Sequence, residues 1–335
     1  MDNLFEKKKK LLIKLNKYRN KIYSIEDDLY NLELEMSTFD NNKLLNNIEL
    51  NDKQKEIINS DSNNILVIAV PGSGKTHTVI NRYIGLVNEK NINSDDIILI
   101  TFTKKSGNEM LDRINRYVPH KQPYYVGSLH GLAFKLLNKI NYSILDEKDT
   151  YQLITDICYT LTDNEFLIKN INYIYDKLSS QYPQNINNVL DEMDINPKFK
   201  NTINLILKKY NKEKKLQKLL DFNDLMCEFN KYLNTTEGEG IKSKIKYLFF
   251  DEFQDINSIQ YSILQKFKKS NIMVVGDDAQ SIYSFRGSNV NYILNYKYDK
   301  CYFLDTNYRS SPYIIDIFSD IIKNNKIKIK KNIKS

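Results

Sequence analysis

Apolar side chains recur along the first part of the chain at alternating intervals of four and three, as Leu11, Leu15, Tyr18, Ile22, Ile25, Leu29, Leu32 and Met36. This spacing keeps one stripe on a helix and predicts a long helix over residues 1–48 with a heptad seam. Two readings stay open for it: a coiled coil through 11–36, with a partner or with itself, or a helix laid on its own globular body. From Leu50 the pattern changes to short, continuous apolar runs: Ile65 to Val70, Ile97 to Ile100, Tyr247 to Phe250 and Ile272 to Val275. Runs of this length separated by helical stretches predict buried parallel strands, hence an α/β class with a parallel sheet. Residues 131–220 lack such a run and are polar and helical in period, so they are expected to form a helical insertion. A last helix is predicted from Pro312 to about Lys323, followed by a lysine-rich tail.

Composition narrows the picture. The chain has 335 residues, 41% of them hydrophobic, with 24 Tyr and 15 Phe, too many apolar anchors for a disordered chain. The start, MDNLFEKKKKLLIKL, lacks a signal peptide's apolar stretch, and no run reaches the ~20 apolar residues of a membrane span. Cys158, Cys227 and Cys301 are isolated and odd in number, which supports neither a disulfide framework nor a zinc site. An intracellular, soluble protein of cytoplasm or nucleus is therefore expected. The formal charge of +7 resides in the ends: residues 7–21 carry eight basic side chains and residues 323–334 six lysines, neither with an acid. The body between them is net acidic, so basicity alone does not identify a partner. If the lysine tail supplies nucleic-acid affinity, removing residues 323–335 should flatten the salt dependence of binding; the alternative is a solvated end.

The chemistry begins where the first strand runs into Ala69-Val70-Pro71-Gly72-Ser73-Gly74-Lys75-Thr76 and then a helix. Glycines at 72 and 74 let backbone N–H groups close around phosphates, and the helix N-terminus adds its dipole. Lys75 can reach the β and γ oxygens, and the Thr76 hydroxyl can ligate Mg²⁺. Ala69 stands where the strict pattern has its first glycine. A second element is the pair Asp251-Glu252 at the end of the strand Tyr247 to Phe250. On a neighbouring parallel strand it would lie beside the phosphate loop, with Asp251 a candidate Mg²⁺ ligand and Glu252 a candidate base for the attacking water. Three further stretches fall past strand ends or late in the chain: Thr101 to Lys105, Gly276 to Gly287, and Asn307 to Ser310. Their aromatics beside an arginine could stack unpaired bases. His77 and His120 fit no such pattern.

Taken in order, these blocks resemble the amino-terminal half of a UvrD/Rep-type superfamily 1 DNA helicase. Leu50 to Gln54 resembles the family's Q motif, the phosphate loop its motif I, and Thr101 to Lys105 with Glu109-Met110 its motif Ia. Ser128-Leu129-His130 is similar to motif Ib, and Asp221 to Leu225 to the stretch returning the chain to the first core. Asp251 to Asp255 with Asn257 and Gln260 resembles motif II, Gly276 to Gly287 motif III, and Asn307 to Ser310 motif IV. The resemblance implies a RecA-like P-loop NTPase core at 49–130 and 221–306, an insertion at 131–220, and the start of a second core plus basic tail at 307–335, behind the 1–48 extension.

It further implies an ATP-dependent, Mg²⁺-requiring DNA helicase or translocase moving 3′-to-5′ on single-stranded DNA. Gln54 would read the adenine edge, Tyr308 pack on base or ribose, Gln280 sense the γ-phosphate, and Arg309 act as an arginine finger. Phe102, Thr103, His130, Tyr283, Phe285 and Arg286 fall where the family grips the strand. The chain departs from the family at Lys104 to Gly107, at Ser128-Leu129, and at Phe285, where relatives have Trp with its larger stacking face. Motifs V and VI do not occur, so a second polypeptide supplying the other core, or a shortened form, is expected. The competing reading is a nucleotide-gated adaptor that binds DNA or a partner without unwinding.

Overall fold

The computed structural model describes residues 50–137, 142–183, 185–284, 287–325, 329, 331 and 333–334. The heptad seam through 11–36, with the helix it predicts, and the two candidate DNA contacts Phe285 and Arg286 lie outside the described residues.

Alternation along the first strand sets the layering. In β1 (Asn64–Ala69), Ile65, Val67 and Ala69 pack into one apolar cluster while Leu66 and Ile68 pack into another, so both faces of the sheet are covered. The first cluster takes in Val79, Ile80, Tyr83 and Leu86 of the helix Lys75–Asn88, with Met110 and Ile114 of the helix Lys104–Tyr117. The second takes in the helices Leu129–Leu136, Phe222–Tyr232 and Ser258–Leu264. The other main strands are β2 (Ile97–Thr101), β3 (Tyr125–Ser128), β6 (Tyr247–Phe250), β7 (Asn271–Gly276) and β8 (Lys300–Leu304). Two short strands, β4 (Ser143–Ile144) and β5 (Leu219–Leu220), form a separate parallel ladder. The six-stranded sheet is ordered β3-β2-β6-β7-β1-β8, every pair parallel. This is the α/β, parallel-sheet class expected from the apolar runs.

The two strands that the runs did not reveal, β3 and β8, are the edges. An edge strand has one flank and part of a face in water, so β8 alternates exposed Lys300 and Phe303 with buried Tyr302 and Leu304 instead of running continuously apolar. The order also corrects the placing of the acidic pair. β6 does not adjoin β1, because β7 lies between them.

Between β4 and β5 the chain makes four helices, Glu147–Leu161, Glu165–Ser179, Ile186–Glu192 and Pro197–Gln217. Asp146, Asn164, Asn185 and Asn196 precede them, and each side chain accepts a hydrogen bond from the first-turn backbone, the local reason the helices start there. They enclose an apolar core of their own, with Ile154, Ile171, Ile174, Ile203, Ile206 and Tyr210 fully buried. The helix Leu129–Leu136, by contrast, packs on the sheet. The ladder of Ser143-Ile144 with Leu219-Leu220 closes the insertion at its base, where no strand was expected. The helix Pro312–Lys323 follows β8. Among the described residues no helix is long and apolar enough to cross a membrane.

Candidate nucleotide and nucleic-acid site

Ala69 is the last residue of β1 and is fully buried, as is Val70, so a strand residue occupies the position where the strict loop pattern has glycine. The turn proper is Pro71 to Gly74. Gly72 and Gly74 have φ of 67° and 82°, the left-handed region that costs other residues energy. A Cβ on Gly72 would also sit 2.6 Å from Arg309 Cβ, and one on Gly74 2.9 Å from Gln54 Nε2. The loop is held from three sides. Gln54 Nε2 donates to Ser73 O at 3.3 Å, Val70 N–H donates to Leu304 O at 2.9 Å, and Tyr308 N–H donates to Gly72 O at 3.0 Å. Ser73 Oγ is buried and has no hydrogen-bond partner among the described residues.

The acidic pair reaches the loop across β7. Thr76 Oγ1 donates to Asp251 Oδ2 at 3.0 Å, and Lys75 Nζ pairs with Glu252 Oε2 at 2.9 Å. Asp251 is buried, and that burial, reinforced by the neighbouring Glu252 charge, pushes its carboxyl up to about 6. Glu252 takes φ of 55°, an unusual conformation for a non-glycine residue, which turns its carboxylate towards Lys75. Gln254 Nε2 donates to Glu252 Oε2 at 2.9 Å and to Asp255 Oδ2 at 3.1 Å, while its Oε1 accepts from Asp277 N–H at 3.0 Å. A cavity of about 300 Å³ is lined by the loop from Pro71 to Thr76 together with Asp251, Glu252, Gln280 and Arg309. Thus the sequence candidates Lys75, Thr76, Asp251, Glu252, Gln280 and Arg309 are brought together. Gln54 is buried against the loop, whereas Tyr308 is 61% exposed and outside the cavity wall.

The donor set can be tested against a metal. Thr76 Oγ1 and Asp251 Oδ2 are hard oxygens side by side at the cavity, which suits Mg²⁺ held by one or two protein oxygens with phosphate and water completing its shell. Among the described residues no group of three or more His, Cys, Asp or Glu side chains could hold an ion unaided.

A second, larger cleft of about 460 Å³ adjoins the first, with Phe102 in the wall of both. Phe102 and Tyr283 lie ring to ring at 4.8 Å and 33°, and Thr103 and His130 share the same cleft. Thr103 caps the helix Lys104–Tyr117, its Oγ1 accepting from Ser106 N–H at 3.0 Å. His130 meets the edge of Phe222 at 5.5 Å, and burial pushes its pKa down to about 4, leaving a neutral ring at physiological pH.

Several participants carry roles that their sequence blocks did not assign. Asn307 Oδ1 accepts from Arg309 N–H and Ser310 N–H, both at 2.8 Å, an Asx turn that shapes the backbone under Arg309. An Asn two residues before the arginine was the available signal. His77 and Arg113 line the phosphate cavity, although nothing in their spacing marks them. Lys214 is buried between Asp221 and Asp224, and Tyr175 and Tyr210 donate to Asp221 Oδ2 at 2.7 and 2.8 Å. This cluster ties two insertion helices to the N-cap of the helix Phe222–Tyr232.

Residues 50–300 match the model of the UvrD/REP helicase N-terminal domain. An ATP-dependent DNA helicase Rep from Buchnera aphidicola is 31% identical over 302 residues, 83% of this chain and 46% of the relative. An ATP-dependent DNA helicase PcrA from Staphylococcus epidermidis is 29% identical over 301 residues, 82% and 40% respectively. A PcrA from Staphylococcus aureus is 28% identical over 312 residues, 85% and 41%. The chain therefore spans less than half the length of these relatives.

Proposed function

The chain belongs to the UvrD/REP helicase N-terminal domain family, and from that premise we propose that it is the ATP-binding, ATP-hydrolysing part of a 3′-to-5′ DNA helicase or translocase. The observation that carries this reading is the double contact of Thr76 with Asp251 and Lys75 with Glu252 at one cavity. It unites phosphate-binding, metal-binding and water-activating residue types drawn from positions 175 and 177 apart in the chain.

In this reading the loop N–H groups, Lys75 and the unpartnered Ser73 hydroxyl receive the phosphates. Thr76 and Asp251 hold Mg²⁺, which when bound would neutralise phosphate charge. Glu252 accepts the proton of the attacking water at its carboxylate, and Gln254 orients that carboxylate by its hydrogen bond. Gln280 senses the γ-phosphate and Arg309 neutralises transition-state charge. Gln54 and Tyr308 are assigned to the base. Phe102, Thr103, His130 and Tyr283 receive single-stranded DNA in the adjoining cleft, with Phe285 and Arg286 added from the sequence. Because Phe102 borders both cavities, strand occupancy and nucleotide state can be coupled through one ring. Residues 49–130 and 221–306 are assigned to the first core and 131–220 to its insertion, although the helix Leu129–Leu136 at that boundary packs on the sheet of the first core.

Phosphate release measured with and without single-stranded DNA tests the reading. DNA should stimulate release, and Lys75→Ala or Glu252→Gln should lower it by about 10²-fold or more, with Glu252→Gln still binding nucleotide. Nucleotide binding without release under any added DNA would replace the enzyme by the nucleotide-gated adaptor. A strand-displacement assay on the same protein separately decides whether this span unwinds DNA.

A further inference from the structure

A lysine from the basic end of the chain pairs with the turn that carries Gln280. Only 7% of the Lys331 side chain is exposed, so it does not belong to the solvated tail that its charge suggests. Its ammonium pairs with Asp277, and at 2.5 Å with Asp278 Oδ1 as an ion pair without hydrogen-bond alignment. Asp278 Oδ2 accepts from Ile329 N–H at 2.9 Å. Three residues on, Lys334 N–H donates to Asp305 O and Lys334 O accepts from Asn307 N–H, both at 2.8 Å. Ile329, Lys331 and Lys334 thus fasten the turn after β7 to the segment after β8, the two places that supply Gln280 and Arg309.

Asp277 links this attachment to the cavity through Gln280. Its Oδ2 accepts from Gln280 Nε2 at 2.6 Å, and its Oδ1 accepts from Ala279 N–H at 3.1 Å and faces Lys331. Its own N–H donates to the Gln254 that holds Glu252. Two adjacent buried carboxylates repel each other and lose hydration, so they need a cation in contact to stay where they are. With Lys331 in place, Asp277 can hold one end of the Gln280 amide while the side chain lines the phosphate cavity. Without it, Asp277 would turn towards water and release Gln280.

We propose that Lys331 is a positioning residue for nucleotide discrimination: through Asp277 it sets the Gln280 amide that distinguishes a triphosphate from a diphosphate. The proposal rests on the role given above to Gln280. Competition binding of ATP and ADP, with Mg²⁺, measures it as the dissociation constant of ADP divided by that of ATP. Lys331→Met should lower that ratio about tenfold, a loss of about 1.4 kcal/mol specific to the triphosphate. ADP affinity should stay within about twofold, Lys331→Arg should restore the ratio, and Lys331→Met should add nothing to Gln280→Ala. An unchanged ratio, or equal weakening of both nucleotides as a purely structural role would give, overturns the proposal. Should Lys331→Met not fold, Lys331→Gln, uncharged but still a donor, decides on the same ratio. If Gln280→Ala itself leaves the ratio intact, the role of Gln280 and the proposal fall together, while loss of phosphate release in Lys75→Ala would still uphold the ATPase reading.

Discussion

The two adjoining cavities are built by different means. The phosphate cavity is a backbone construction: two left-handed glycines, a helix start and the ends of parallel strands place its groups, and Thr76 and Lys75 contact Asp251 and Glu252 directly. The cleft beside it is a side-chain construction. Its walls come from the segments after β2, β6 and β7, the helix that follows β3, the helix Phe222–Tyr232 and insertion helices, and its rings meet edge-on or tilted. A backbone site tolerates little change because the chain path itself is the binding surface. A side-chain site depends on whatever holds the separate walls together, and here that is the buried group of Lys214, Asp221, Asp224, Tyr175 and Tyr210.

The most severe way to break this contrast is to remove Lys214. Lys214→Met leaves the buried Asp221 and the part-buried Asp224 without their cation and should cost about 3–5 kcal/mol of stability in chemical denaturation. In the fraction that remains folded, single-stranded DNA affinity should fall while nucleotide affinity is kept. Equal loss of both would mean that the insertion also supports the phosphate cavity and that the division between the two is false.

A smaller and cleaner perturbation trims the stacked rings. Phe102→Ala and Tyr283→Ala should each weaken single-stranded DNA binding by about 1–3 kcal/mol, read by fluorescence anisotropy. They should separate in a second readout. Only Phe102→Ala should reduce DNA stimulation of phosphate release beyond its effect on DNA affinity, because of the two rings only Phe102 lines both cavities.

The mildest expected effect is a pH dependence belonging to the cleft. Burial, with the Glu252 charge adding to it, pushes the Asp255 carboxyl up to about 6, whereas an unfolded aspartate titrates near ~3.9. The folded protein therefore keeps a proton that the unfolded chain has lost between these values. Stability from this group is greatest at low pH and declines as pH rises from about 4 to about 6, then stays level. Asp255→Asn should accordingly be more stable than the parent at pH 7.5 by about 1–2 kcal/mol, with the advantage gone near pH 4. A constant difference across pH, measured by thermal melts, would show that Asp255 titrates normally.

The sequence by itself determined the parallel α/β class, through four apolar runs long enough to be buried on both faces, and marked the loop that lines the first cavity, because a strand, two glycines, a lysine and a helix start are contiguous in the chain. Edge strands β3 and β8 escaped it, since a half-exposed strand has no uninterrupted apolar run. Only the tertiary structure decided that β7 lies between β1 and β6, so that Asp277, just past β7, bonds the Gln254 that holds Glu252. Only it showed Lys331 paired with Asp277, and Lys214 between two aspartates, instead of in the solvated positions their lysine-rich surroundings suggest. The physical reason is range. Strand burial, glycine conformation and helix capping act within a few residues and are written in local pattern, whereas the burial and pairing of a charge depend on which distant segment the fold brings to it.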